Sequence, residues 1–130
     1  VPSLEGVKVI VVEDDEDPRE LLKLVLIRSG AEVSACSDPA EAMERFVKWT
    51  PDILISDIGL PGEDGYGLIR RVRGLTPERG GQIPAIALTA YSGESDKARI
   101  LSAGFQMHIT KPLDPKELVR AVSKLTGGAA

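Results

Sequence analysis

The sequence contains one cysteine, Cys36, one histidine, His108, and one tryptophan, Trp49. A lone cysteine excludes an internal disulfide, so an apolar core has to hold the fold. At 130 residues the chain is long enough to bury such a core as one domain. Cys36 closes a short apolar run from Val33 and reads as a small buried hydrophobe, and a reducing cytoplasm is the expected setting. No apolar run approaches the roughly 20 residues of a membrane-crossing helix. No signal-peptide pattern opens the chain, so direct membrane contact is not expected. Basic clusters are also missing. Sixteen Lys and Arg stand against twenty Asp and Glu, for a net charge of −4. That leaves no electrostatic footprint for nucleic acid. The chain begins at Val1 rather than Met, which suggests processing or excision from a longer protein. Flexible ends are expected at about 1–5 and 127–130.

What the sequence does have is a repeated helix-start signal. It reads Asp17-Pro18-Arg19-Glu20, Asp38-Pro39-Ala40-Glu41 and Asp114-Pro115-Lys116-Glu117. Each predicts Asp at the N-cap, Pro at the first helical position and Glu at the third. Both carboxylates favour the positive end of the helix dipole. Apolar residues follow at helical spacing: Leu21, Leu22 and Val25; Met43, Phe46 and Val47; Leu118, Val119, Val122 and Leu125. Two further helices are predicted, one through Leu68, Ile69 and Val72, the other from about Gly93 to Gly104. Between the helices lie β-branched runs: Val7 to Val12, Val33 to Cys36, Ile53 to Ser56, Ile83 to Thr89 and Met107 to Thr110. Near-continuous apolar strands imply burial on both faces, hence a parallel sheet clad by helices. Strand and helix alternate five times, which predicts an α/β, doubly wound (βα)5 flavodoxin-like domain over 1–130. Residues 76–82, with Pro77 and two glycines, read as a surface loop.

In a parallel sheet the strand C-termini share one rim, and ligands bind outside it. Glu13 and Asp14 follow the first strand, Asp57 the third and Lys111-Pro112 the fifth, while Thr89-Ala90 ends the fourth. Scattered in sequence, they converge at the rim. Several close carboxylates repel one another and require a cation or raised pKa values. An all-oxygen set with open positions suits Mg2+, with Mn2+ as a substitute. Asp57 can then act as a nucleophile toward a phosphoryl group. Lys111 can meet the charge on the phosphoryl oxygens, and Thr89 can hydrogen-bond the product.

The segments Val11-Val12-Glu13-Asp14-Asp15, Ile55-Ser56-Asp57-Ile58-Gly59-Leu60-Pro61-Gly62, Leu88-Thr89-Ala90 and Ile109-Thr110-Lys111-Pro112 resemble the receiver domains of two-component response regulators. The resemblance covers nearly the whole chain in the expected order. It implies a sheet of order 2-1-3-4-5, Asp57 as phosphoacceptor, Asp14 as direct Mg2+ ligand and Glu13 as an adjacent acid acting through water. It also implies a metal-facing carbonyl at Gly59, a switch hydroxyl at Thr89, and a lysine at Lys111 held by a cis bond to Pro112. At the second switch position, where the family often has Tyr or Phe, this chain has His108, whose imidazole can titrate. The implied partner is a histidine kinase or a histidine phosphotransfer domain. The openings Leu4 to Val9 and Gly104 to His108 look most like receivers of hybrid sensor kinases, which implies a kinase core in the same chain and tethering to a membrane-bound kinase. Such a switch acts only on its own aspartate and is not a conventional enzyme.

Other readings fit less well. A mononucleotide binder needs a Gly, Ser or Thr-rich phosphate loop after the first strand, where this chain has carboxylates. Asp-nucleophile phosphatases usually carry the nucleophile after the first strand, whereas Asp57 follows the third. A degenerate receiver would lack a site residue, and none is missing. Each feature also has a bland reading: the run from Glu13 to Asp17 as a solvated loop, Asp57 as a cap, Lys111 as a surface lysine, His108 as an edge residue. Their joint position at one rim argues against it. Trp49 and Tyr66 read as packing or surface aromatics, and Tyr91 lies where it could border the pocket.

Overall fold

The computed structural model describes residues 3–59, 64–90 and 93–127, with the side chains at 94 and 95 excepted. Strands β1 (Lys8–Val12), β2 (Glu32–Cys36), β3 (Ile53–Asp57), β4 (Ala85–Thr89) and β5 (Met107–Thr110) alternate with helices α1 (Glu16–Arg28), α2 (Pro39–Lys48), α3 (Gly65–Arg73), α4 (Glu94–Ala103) and α5 (Pro115–Thr126). All pairings are parallel, in the order β2-β1-β3-β4-β5. This is the doubly wound topology expected from the sequence.

Strand alternation divides the core into two layers. Val9, Val11, Ile53, Ile55, Ile86, Leu88 and Ile109 face Leu22 and Leu26 of α1 and Leu118 and Val122 of α5. Ile10, Val12, Leu54, Ala85 and Ala87 face Phe46 of α2, Leu68, Ile69 and Val72 of α3, and Ile100 of α4. Strands β3 and β4 are buried at every position, as central strands under two helical layers must be. Cys36 is fully buried, and burial, followed by the charge of Glu41, pushes its thiol pKa up to about 11. Among the described residues no helix is long and apolar enough to cross a membrane.

Several local expectations need correction. The first capping signal is displaced: α1 has Asp15 at its N-cap, without a side-chain cap, and Pro18 falls at the third helical position. Pro is tolerated there because the first-turn N–H groups have no partner within the helix. The other two signals hold. Asp38 accepts from the Glu41 N–H at 2.8 Å, and Asp114 from the Lys116 N–H at 3.0 Å. β4 starts at Ala85 rather than Ile83, because Pro84 has no N–H for the ladder. Val47 and Leu21 are exposed, since Ala42 and Phe46, and Leu22 and Leu26, are the i, i+4 pairs that face the core. At the expected flexible start, Leu4 is instead fully buried, and its N–H donates to Ser29 O at 2.7 Å.

Residues 76–82 form the expected surface loop, exposed at 76–79 and at 82, with Gly80 and Gly81 tucked inward. A Cβ at Gly80 would meet the Phe46 ring at 3.3 Å, and one at Gly81 would lie 2.0 Å from Leu75 O. Arg73, at the end of α3, fastens this segment. Its guanidinium donates to Gly81 O at 3.0 Å, Ile83 O at 2.7 Å, Gly104 O at 3.1 and 2.7 Å, and Gln106 Oε1 at 3.1 Å. Burial pushes its pKa down, and carbonyl dipoles meet the charge. Arg73→Ala leaves these acceptors without their donor and should destabilise the fold by about 2–4 kcal/mol in urea denaturation. Arg73→Lys should recover only part, because an ammonium lacks the planar fork. A loss within experimental error for Arg73→Ala would show that water replaces the guanidinium.

Candidate functional site

The two-residue alternation continues past the strand ends. Glu13 N–H donates to Cys36 O at 3.0 Å, Ile58 N–H to Leu88 O at 3.0 Å and Lys111 N–H to Thr89 O at 2.8 Å, each extending its ladder by one step. Glu13 therefore shares the parity of Val9 and Val11, Asp57 that of Ile53 and Ile55, and Lys111 that of Ile109. All three belong to the face lined by α1 and α5. Thr89 has the parity of Ala85 and Ala87, on the other face. In register Thr89 stands beside Thr110, and Asp57 beside Leu88.

The result is a compact charge cluster. Lys111 Nζ lies 2.6 Å from Asp57 Oδ2 and 3.4 Å from Glu13 Oε1. Asp57 Oδ1 accepts from the Gly59 N–H at 3.0 Å. Carboxylate oxygens of Glu13, Asp14 and Asp57 all lie within 4.8 Å of one another. Glu13 is only 1% exposed and Asp57 7%, while Asp14 faces solvent. Such crowding raises the cost of ionisation. Burial first, then the Asp57 charge, raise the Glu13 pKa from 4.5 to about 7, against the pull of Lys111. For Lys111, burial acts to lower the pKa, but the hydrogen bond and charge of Asp57, helped by Glu13, outweigh it and hold the value above the ordinary one.

The donor chemistry fits a hard divalent cation. Three carboxylates, one of them open to water, offer only oxygen ligands, and their mutual repulsion is relieved by a positive ion. Gly59 is exposed beside Asp57, to which its N–H donates. The Lys111–Pro112 peptide bond is cis. His108 stands apart from the carboxylates, half-buried on the edge strand β5, in a groove with Asp114, Glu117, Arg120 and Lys124. Leu60, Pro61, Gly62 and Tyr91 lie outside the described residues.

The residue-by-residue reading of the sequence missed two local supports. Gly65 opens α3 directly against the acceptor strand: a Cβ there would lie 2.6 Å from Asp57 O and 2.8 Å from Ile58 Cα. Its own N–H donates to Ile58 O at 2.9 Å, and Asp64 caps the helix through the Gly67 N–H at 2.9 Å. The Asp-Gly pair at 64–65 was the available signal. Tyr66 is buried, with the Arg99 guanidinium 4.1 Å from its ring centroid, joining α3 to α4. This contact had no signature in the sequence.

A family model described as the response regulator receiver domain matches residues 9–123. This chain is a response regulator receiver domain. An uncharacterised 14.6 kDa protein of Leptolyngbya boryana is 42% identical over 94% of this receiver and 92% of its own length. Among solved structures, a response regulator of Chloroflexus aurantiacus superposes with a TM-score of 0.87 at 36% identity, covering 95% of this chain and 99% of that one. The receiver domain of the Pseudomonas aeruginosa sensor histidine kinase PA1611, solved with a magnesium ion coordinated in its active-site cleft, gives 0.84 at 29% identity, covering 95% and 99%. The receiver spans about half the length of several other curated relatives, which are 40% identical to it. As a receiver the domain is a phosphoacceptor switch of two-component signalling.

The raised Glu13 pKa has a consequence for stability. Between about pH 4.5 and 7 the folded receiver keeps a proton on Glu13 that the unfolded chain has already released. Stability of the metal-free protein from this source therefore falls as pH rises through that window and then levels off. Glu13→Gln should flatten the slope and be more stable than wild type above pH 7. Urea denaturation in a chelator from pH 5 to 8 measures it; identical slopes for the two proteins would contradict the assignment.

Proposed function

We propose that Asp57 accepts the phosphoryl group of a phosphohistidine presented by a histidine kinase or a histidine phosphotransfer domain. The observation that carries this reading is the contact of one buried carboxylate with both a lysine, at 2.6 Å, and an acidic pair that cannot all ionise cheaply without a cation. An Asp57 carboxylate oxygen attacks phosphorus, the O–P bond forms as the N–P bond of the donor breaks, and the leaving imidazole takes up a proton. Lys111 Nζ, already at the acceptor, turns to the phosphoryl oxygens, where its positive charge counts most. The Gly59 N–H orients Asp57 through Oδ1. Asp14, Asp57 and the Gly59 carbonyl would hold Mg2+, or Mn2+ in its place, with Glu13 acting through water. When bound, the ion neutralises charge on the phosphoryl oxygens.

The aspartyl phosphate adds about 1.5–2 negative charges at the rim. Thr89, buried at the end of β4, answers them with its hydroxyl, and His108 on β5 responds by moving between its groove and solvent. Couplings in such switches are about 1–3 kcal/mol, or roughly 5- to 150-fold in population. Attack of water on phosphorus breaks the aspartyl O–P bond, releases inorganic phosphate and restores Asp57. The receiver therefore turns over only its own aspartate.

A protein donor is supported by the surface beside the site. Leu21, Leu24 and Ile27 on α1 are 46–47% exposed. Leu21 lines one groove with Glu13, Lys111, Pro112 and Leu113, and a second with Leu24, Pro115 and Val119. Likeness to the PA1611 receiver and to that of a Syntrophus aciditrophicus histidine kinase, 34% identical, supports a place beside a cytoplasmic kinase core, tethered at the membrane where that kinase is membrane-bound. With Mg2+ and acetyl phosphate the receiver should gain one phosphoryl mass, and Asp57→Asn should gain none. Lys111→Ala should bind Mg2+ yet phosphorylate at least tenfold more slowly. Leu21→Glu should slow transfer from a phosphohistidine protein and leave the acetyl phosphate reaction unchanged. An adduct that survives Asp57→Asn, or repeated turnover of an external phosphoester, would overturn the reading.

A further inference from the structure

Arg19 makes no contact with the acceptor carboxylate, yet it grips the backbone that carries the acidic pair. Its Nη1 donates to Glu13 O at 3.0 Å and to Asp14 O at 3.2 Å. The reach follows from helix geometry: Arg19 is the fourth residue of α1, and helix side chains lean toward the N-terminus. Its own N–H closes the first turn onto Asp15 O at 3.0 Å. The loop is thus held at both ends, by Glu13 N–H on Cys36 O and by the Arg19 guanidinium on the next two carbonyls. Asp14 needs that hold most, because its side chain is exposed at the rim.

We infer that Arg19 is a positioning residue for the cation site, clamping the 13–14 backbone so that the Asp14 carboxylate stays at the rim within reach of Asp57. The inference rests on the reading of Asp14 and Asp57 as metal ligands. Two effects of the guanidinium compete. Its charge repels a divalent ion, while its hydrogen bonds hold an anionic ligand in place. The guanidinium is partly exposed and bonded to two carbonyl oxygens, and the high dielectric of water screens repulsion between exposed charges. The hydrogen bonds are not screened in this way, so positioning outweighs repulsion.

The test is Mg2+ affinity measured by calorimetry, alongside the melting temperature of each protein in a chelator. Removing groups that orient metal ligands typically costs about 10–100-fold in affinity. Arg19→Ala and Arg19→Met should weaken Mg2+ binding about tenfold with little change in the metal-free melting temperature. Arg19→Lys keeps the charge and one point of contact and should recover part of the loss. Asp14→Ala serves as the control. If Asp14→Ala abolishes binding while Arg19→Ala leaves it unchanged or tighter, the positioning role is wrong and the site stands. If Asp14→Ala binds Mg2+ like wild type, the ligand assignment itself fails. A lowered melting temperature with wild-type affinity in Arg19→Ala and Arg19→Met would reduce Arg19 to a structural residue.

Discussion

Crowding of negative charge at one sheet rim is the constraint on which the rest of this receiver depends. Three carboxylates lie within 4.8 Å, two of them buried, and Lys111 stands among them. An isolated domain has little reason to keep such a cluster, because burial and mutual repulsion both penalise ionisation. The cluster becomes favourable once a divalent ion neutralises part of that charge. Lys111 pairs with Asp57 and Glu13 and offsets part of that charge.

The scaffold supplies what the cluster lacks, a rigid frame that keeps like charges together. Strand alternation puts Glu13, Asp57 and Lys111 on one face, and ladder bonds continue one residue past three strand ends to hold them there. Gly65 lets α3 press against the acceptor strand, where any side chain would strike the Asp57 carbonyl. On the other face Thr89 belongs to the layer of α3 and α4, and the Arg99–Tyr66 stack joins those two helices. Arg73 ties the ends of α3, the segment before β4 and the turn before β5 to one guanidinium.

Much of this was legible in the sequence because it depends on period and order. The apolar runs gave the strands, the Asp-Pro pairs at 38–39 and 114–115 gave helix starts, and residues after each strand end gave the rim. Where the sequence misled, competing local signals were at work. The acidic run from Glu13 to Asp17 contains more than one possible N-cap, and the helix begins at the earlier one because Pro is acceptable anywhere in a first turn. Val47 and Leu21 look like core residues by composition but fall off the buried stripe by a helical step. Arg19, Arg73 and Gly65 act through close approach to backbone atoms at other points of the chain, and no hydrophobic pattern encodes such contacts.

Charge relief by a cation makes one consequence directly measurable. In the metal-free receiver the Glu13 pKa is about 7, so at pH 6.5 most molecules carry a proton there. An ion placed among the carboxylates must drive that proton off. Titrating Mg2+ at pH 6.5 in two buffers of different ionisation enthalpy gives the number of protons released per ion bound. The account predicts more than half a proton for the wild-type receiver and almost none for Glu13→Gln. Binding of Mg2+ with no proton released by the wild type would contradict it.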